Sequence, residues 1–229
     1  MKFLVVADIH GDIEKLYRLI SQLDEKPDAV LVAGDLTPFG PASLVPDEIK
    51  VLKQASPKVL AVPGNEDPED ARREMEEINI HGKIVKLDDV SVIGFEGADW
   101  VETDSGVLMR YDPLHEKLKE TKGKKIVLTH VPPFDTELDR LWTGRHVGSS
   151  FLRSIIEEYQ PEMVISGHIH ESGGVDKIGK TLLLNPGALS DGYSAWLEFE
   201  KDKEPVIVRM KLTKKGLKKE QMKLPKTKK

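Results

Sequence analysis

Five short stretches of this sequence carry side chains that bind metals: Asp8-Ile9-His10, Gly34-Asp35, Gly64-Asn65, His130 and Gly167-His168-Ile169-His170. Together they offer two carboxylates, one carboxamide and four imidazoles. Hard oxygen mixed with imidazole suits Mn, Fe, Zn, Ni or Co better than Ca or Mg alone. The chain has no cysteine, which excludes thiolate ligands and disulfides. Seven donors are too many for one ion with an open position. They suit two ions ~3.5–4 Å apart that share a bridging carboxylate. Such a pair acidifies a water to hydroxide at neutral pH and stabilises the charge that builds on a phosphate. Each piece alone would pass for a turn or a helix cap, so the weight rests on all five occurring in order.

Strands must position these residues. Each motif follows an apolar run: Phe3 to Ala7, Ala29 to Ala33, Lys58 to Val62, Lys125 to Thr129 and Met163 to Ile165. In open α/β sheets the carboxyl ends of the strands share one edge, where residues distant in sequence converge. Alternate residues of an extended chain point the same way, so Asp8 with His10, and His168 with His170, can face one site. The glycines before Asp35, Asn65 and His168 allow tight turns and close approach.

Between the strands lie helical periods. From Asp12 onward Ile13, Leu16, Tyr17, Leu19, Ile20 and Leu23 share a face. Helices are expected over 44–55, 68–79 (with Met75 and Ile78 inward), 113–121 and 149–159. A hairpin over 84–87 and 90–95 turns at Asp88-Asp89, and strands near 174–178, 181–184, 195–199 and 205–210 close the chain. Strand–helix alternation followed by strands predicts mixed α/β sheets around one core. The expected organisation is a single domain over 1–210 and a lysine-rich tail over 211–229.

Composition narrows the class. Apolar residues make up 39% and charged residues 32%, a soluble profile with enough aliphatic side chains for a core. No run approaches the ~18–20 apolar residues of a membrane span. The apolar start Met1 to Ala7 is cut short by Asp8, His10 and Asp12, so it reads as a strand rather than a signal peptide. A cytoplasmic location without membrane partners is expected. Residues 211–229 hold nine lysines and one acid, so the net charge of −5 leaves about −13 on the rest. That balance argues against an electropositive groove, and nucleic acid is not an expected partner. The tail itself reads as a solvated, frayed end.

The ordered motifs resemble those of the calcineurin-like metallophosphoesterases, over residues 8 to about 199. The stretches Thr129–Pro133, Gly144–Ser149, Gly167–Glu171 and Asn185-Pro186-Gly187 are most similar to a small prokaryotic branch of predicted phosphoesterases. The resemblance implies a four-layer α/β/β/α sandwich with two mixed β-sheets. It implies one metal held by Asp8, His10, Asp35 and His170. Asp35, Asn65, His130 and His168 would hold the second, with Asp35 bridging, and manganese is among the candidate ions. The implied reaction is hydrolysis of a small phosphodiester or phosphomonoester by a metal-activated hydroxide. A nuclease of the same chemistry and a non-catalytic metal-bearing scaffold are the alternatives, and a homo-oligomer is left open.

One position departs from the family. Its third motif usually continues with a histidine that contacts phosphate and protonates the leaving group, whereas this chain reads Gly64-Asn65-Glu66-Asp67. A carboxylate there repels a phosphate dianion unless protonated or turned away. Either the substrate has an acidic leaving group, or His146 and Arg145 in the long 131–147 loop substitute, or turnover is poor. Elsewhere, His81 reads as a helix C-cap before Gly82 and His115 as a solvated residue. Asn185 reads as a turn residue that can support the site. Specificity is expected in the loops 36–47, 96–111 and 131–148.

Overall fold

The computed structural model describes residues 1–96, 100–103, 106–109, 114–200 and 203–225. In chain order the first half contains β1 (Lys2–Val6), α1 (Ile13–Ser21), β2 (Ala29–Ala33), α2 (Val45–Ala55), β3 (Val59–Val62), α3 (Glu69–Glu74), β4 (Ile84–Leu87) and β5 (Val90–Phe95). A small hairpin, β6 (Trp100–Thr103) and β7 (Gly106–Met109), precedes α4 (Leu114–Glu120) and β8 (Lys124–Thr129). The second half contains α5 (Ser150–Tyr159), β9 (Met163–Ile165), β10 (Gly174–Ile178), β11 (Thr181–Asn185), β12 (Tyr193–Glu198), β13 (Val206–Thr213) and β14 (Gly216–Gln221).

These strands form two six-stranded mixed sheets, ordered β14-β13-β12-β1-β2-β3 and β10-β11-β9-β8-β5-β4. In the first, β1, β2 and β3 run parallel; in the second, β5, β8, β9 and β11 do. The period-2 pattern of side chains then decides the layers. Phe3, Val5, Leu31 and Val62 of the first sheet pack against Val92, Ile126, Leu128 and Ile165 of the second. The alternate residues Leu4, Val6, Val30 and Val32 turn outward onto Leu16 and Leu19 of α1, Leu52 of α2 and Met75 just past α3. On the far side Ile93, Val127 and Val164 meet Leu114 and Leu118 of α4 and Leu152 and Ile156 of α5. Each buried side chain of this size contributes roughly 1.5–3 kcal/mol. The result is the expected four layers: helices, sheet, sheet, helices.

Several local expectations are corrected. Helix α3 is shorter than the 68–79 period suggested, although Met75 and Ile78 are buried as expected. Ile13 and Tyr17 are exposed at 37% and 55%, because only Leu16 and Leu19 of α1 are buried. The stretch from 211 is not a frayed tail through Gln221. It completes β13 and supplies β14, which pairs antiparallel from Val208↔Gln221 to Thr213↔Gly216. Leu212 is buried and Leu217 packs beside it, while Lys218 and Lys219 face solvent. Lysines on an edge strand also discourage pairing with another sheet. Residues 226–229, and 97–99, 104–105 and 110–111 of the 96–111 loop, lie outside the described residues. Among the described residues, no helix is long and apolar enough to cross a membrane.

Candidate metal centre

All five motifs leave the carboxyl ends of parallel strands, and the two sheets bring those ends together. Asp8 and His10 follow β1, Asp35 follows β2 and Asn65 follows β3; His130 follows β8, and His168 and His170 follow β9. Backbone bonds lock the loops in place: Asp8 N–H donates to Gly34 O at 3.0 Å, His10 N–H to Asp35 O at 3.1 Å and Gly167 N–H to His130 O at 2.9 Å. Four of the seven residues have left-handed backbone: Asp8 (φ 53°), His10 (49°), Asp35 (52°) and His168 (70°). For non-glycine residues this conformation costs of order 1–3 kcal/mol each, and such strain clusters at functional sites. Two glycines are fixed by the crowding beside them. A Cβ on Gly64 would stand 2.0 Å from Asp35 Oδ1, and one on Gly34 2.3 Å from His130 Nδ1.

The donor atoms fall into two groups. In the first, Asp8, His10 and His170 place one atom each within 4.8 Å of one another. His10 Nε2 is 3.2 Å from His170 Nε2, and His170 Nε2 is 3.6 Å from Asp8 Oδ1. In the second, Asp35, His130 and His168 do the same. His130 Nε2 lies 2.9 Å from Asn65 Oδ1 and 3.3 Å from Asp35 Oδ2. Asp35 also falls within 4.8 Å of donors on His10 and Glu66, which links the groups.

Surrounding groups orient these donors. Asp8 receives the His168 N–H on both oxygens at 3.1 Å, and Asp35 Oδ1 receives the Glu66 N–H at 2.8 Å. His130 Nδ1 sits 2.8 Å from the Ala33 carbonyl, so Nδ1 carries a proton and Nε2 is the nitrogen turned to the cluster. Asn185, placed as a supporting residue, is buried; its Nδ2 donates to Ile169 O at 3.0 Å and its Oδ1 accepts from Gly187 N–H at 2.8 Å.

The electrostatics match a cluster built for cations. Burial works against the charged forms of Asp35 and His130, but their mutual hydrogen bond and attraction win. Asp35 is held below the usual carboxylate range and His130 is raised to about 9. Burial and the nearby charge of His130 push His168 down to about 4, leaving it a neutral donor at pH 7. The hydrogen bond and charge of Asp8 raise His170 against its partial burial.

Sequence reasoning missed two residues that fix the β3 loop. Asp67, buried, accepts N–H groups from Gly64 at 2.9 Å, Thr37 at 2.8 Å and Leu36 at 3.3 Å. Arg72 donates to Asp67 O at 2.8 Å and Gly64 O at 2.9 Å. An acid three residues after a glycine was the available signal for the first. Nothing in a charge-rich helical stretch singled out the second.

Arg145 and His146 are not brought to the cluster. His146 Nδ1 bonds Asp139 Oδ1 at 2.7 Å, and its ring stands edge-on to Phe134. It lines a separate cleft of about 610 Å³ with Asp135, Arg153 and Asp176, to which none of the seven donors contributes. Arg145 is exposed, and its backbone carbonyl accepts from Leu141 N–H at 2.9 Å. These contacts give no support to the expected catalytic roles; they close the 131–148 loop upon itself. His81 is not a helix cap either, because its Nδ1 accepts the Glu96 N–H at 3.1 Å. His115 stacks edge-on against Tyr159, with the phenol oxygen 3.0 Å from its Nε2.

Two mixed sheets with Asp, Asn and His donors gathered at their strand ends define the metallo-dependent phosphatase class. The family model for calcineurin-like phosphoesterases matches residues 1–172, and the chain belongs to that family. An uncharacterised protein of Methanocaldococcus jannaschii is 31% identical over 199 residues, covering 83% of this chain and 89% of its own. A protein of Arcobacter nitrofigilis named "Probable glycerophosphodiester phosphodiesterase GpdQ" is 26% identical over 218 residues, covering 88% of this chain and 77% of its own. Among solved structures, TT1561 of Thermus thermophilus aligns with a TM-score of 0.67 at 22% identity, over 86% of this chain and 93% of that one. That likeness concerns the fold.

Proposed function

We propose that this chain is a dinuclear-metal-dependent hydrolase of phosphate esters. The observation that carries this reading is the convergence of seven donor residues from two sheets, with His130 Nδ1 already bonded at 2.8 Å to Ala33 O. His130 Nε2 lies 2.9 Å from Asn65 Oδ1 and 3.3 Å from Asp35 Oδ2. Electronegative atoms held this close share a cation or a proton. The donor set fits divalent transition metals. In this reading Asp8, His10 and His170 hold one ion, Asn65, His130 and His168 the other, and Asp35 both. When bound, such a pair supplies an acidified water and positive charge against the phosphate oxygens.

The chain's own residues do the positioning. The His168 and Glu66 amides fix the two carboxylates, the Ala33 carbonyl fixes the His130 tautomer, and Asp67 with Arg72 holds the Asn65 loop against 36–37. With no general acid assigned, esters with acidic leaving groups are favoured. The test is metal analysis of the purified full chain together with hydrolysis of bis-p-nitrophenyl phosphate and p-nitrophenyl phosphate. About two divalent ions per chain and turnover abolished by EDTA and restored by Mn²⁺ are expected. Turnover that is unchanged by chelation would contradict the reading.

A further inference from the structure

Glu66 stands outside the seven motif residues, yet its carboxylate lies within 4.8 Å of donor atoms on His10 and Asp35. Its backbone N–H donates to Asp35 Oδ1 at 2.8 Å, which fixes where its side chain begins. The carboxylate then reaches back, and Oε2 lies 3.1 Å from His10 Nδ1. The other nitrogen of that ring, Nε2, faces His170 Nε2 at 3.2 Å, inside the group formed with Asp8. Glu66 thus stands on the Nδ1 side of His10, as the Ala33 carbonyl stands on the Nδ1 side of His130, and leaves Nε2 turned toward the cluster. A carboxylate behind a ligating histidine fixes ring orientation and raises ligand basicity.

Unlike the Ala33 carbonyl, this partner carries a full charge, and it is placed differently from the other two carboxylates. The side chains of Asp8 and Asp35 are 1% and 3% exposed, whereas that of Glu66 is 26% exposed. Glu66 is therefore the most exposed of the cluster's three carboxylates. Turning the carboxylate away would break its contact with His10. A phosphodiester brings one negative charge; a phosphomonoester brings nearly two above its second pKa of about 6. One extra unit of like charge within several Å, in an environment of effective dielectric about 20 or more, is worth roughly a factor of ten or above.

We propose that Glu66 is a positioning residue for His10 whose charge, fixed at the mouth of the centre, selects phosphodiesters over phosphomonoesters. The inference rests on the phosphoesterase reading above and names its substrate class.

The test uses the full chain with two substitutions. Glu66→Gln keeps an acceptor for His10 and removes the charge; Glu66→Ala removes both. Two quantities are measured: the ratio of kcat/KM for bis-p-nitrophenyl phosphate to that for p-nitrophenyl phosphate at pH 8, and Mn²⁺ affinity of the metal-free protein by calorimetry. The unsubstituted chain is expected to favour the diester. Glu66→Gln is expected to shift the ratio of kcat/KM about tenfold toward the monoester and to weaken Mn²⁺ binding less than Glu66→Ala does. Glu66→Ala is expected to weaken one of the two Mn²⁺ sites about tenfold or more. An unchanged ester ratio in Glu66→Gln, or native Mn²⁺ affinity in Glu66→Ala, would overturn the proposal. Absence of metal-dependent turnover in the unsubstituted chain would instead overturn the phosphoesterase reading, and the calorimetry would still decide whether Glu66 holds His10.

Discussion

His130 joins the two sheets through a single bond: its Nδ1–H, at the end of β8, reaches the Ala33 carbonyl at the end of β2 over 2.8 Å. The same ring turns Nε2 toward Asp35 and Asn65. One side chain therefore serves both the seam between the sheets and the cluster. His130→Ala is expected to lower Mn²⁺ affinity by about 100-fold or more. It should also cost about 1–3 kcal/mol of stability by leaving the Ala33 carbonyl without its partner. Calorimetry and urea midpoints read the two effects separately.

Gly64 packs its Cα against Asp35, and a methyl group there would lie 2.0 Å from Asp35 Oδ1 and 2.5 Å from Asp35 N. The backbone nitrogen cannot swing aside. Gly64→Ala is expected to destabilise by about 2 kcal/mol or more and to abolish binding of two ions. An alanine variant with native Mn²⁺ stoichiometry and midpoint would show that the β3 loop is softer than described.

Glu48 predicts a pH dependence of stability. It is fully buried in α2, and among the described residues its carboxylate makes no hydrogen bond of normal geometry, the Gly11 N–H going to Leu36 O at 2.8 Å; burial followed by the charge of Asp67 raises it from 4.5 to about 9, opposed only in part by the nearby Gly11 amide. The folded protein then holds a proton that the unfolded chain gives up. Stability is full below pH 4.5 and falls as pH rises toward 9, by about 3 kcal/mol at pH 7. Glu48→Gln should remove this slope and gain about that amount at pH 7, read from urea unfolding between pH 5 and 9. Parallel curves for the two proteins would refute it.

His146 yields a prediction opposite to the one its sequence context suggested. Its partner Asp139 also accepts backbone N–H groups from Asp135, Thr136 and Gly148. His146→Ala should therefore cost about 1 kcal/mol of stability and leave kcat/KM within about threefold on both nitrophenyl and alkyl esters. A loss confined to the alkyl ester would restore His146 as the acid.

The strand-end motifs were legible because each combined an apolar run, a sharp turn and a side chain the run does not require. Asp8, Asp35, Asn65, His130 and His168 needed only the α/β topology to meet. The partnership of His146 with Asp139 was not legible, since it depends on how a loop folds upon itself. Charge obscured β14: lysine content suggested a frayed end, while the inward positions of Leu212 and Leu217 marked a hairpin. Glu66 was visible as an anomaly, but its attachment to His10 depends on a rotamer and on the Asp35 bond at its backbone.

If Asp35 joins two metal shells, diffraction from Mn²⁺-soaked crystals will show it through the anomalous signal of the metal. Two peaks ~3.5–4 Å apart are expected on either side of the Asp35 carboxylate, one beside His10 and His170 and the other beside His130 and His168. A single peak, or two peaks that Asp35 does not touch, would rule out a shared carboxylate.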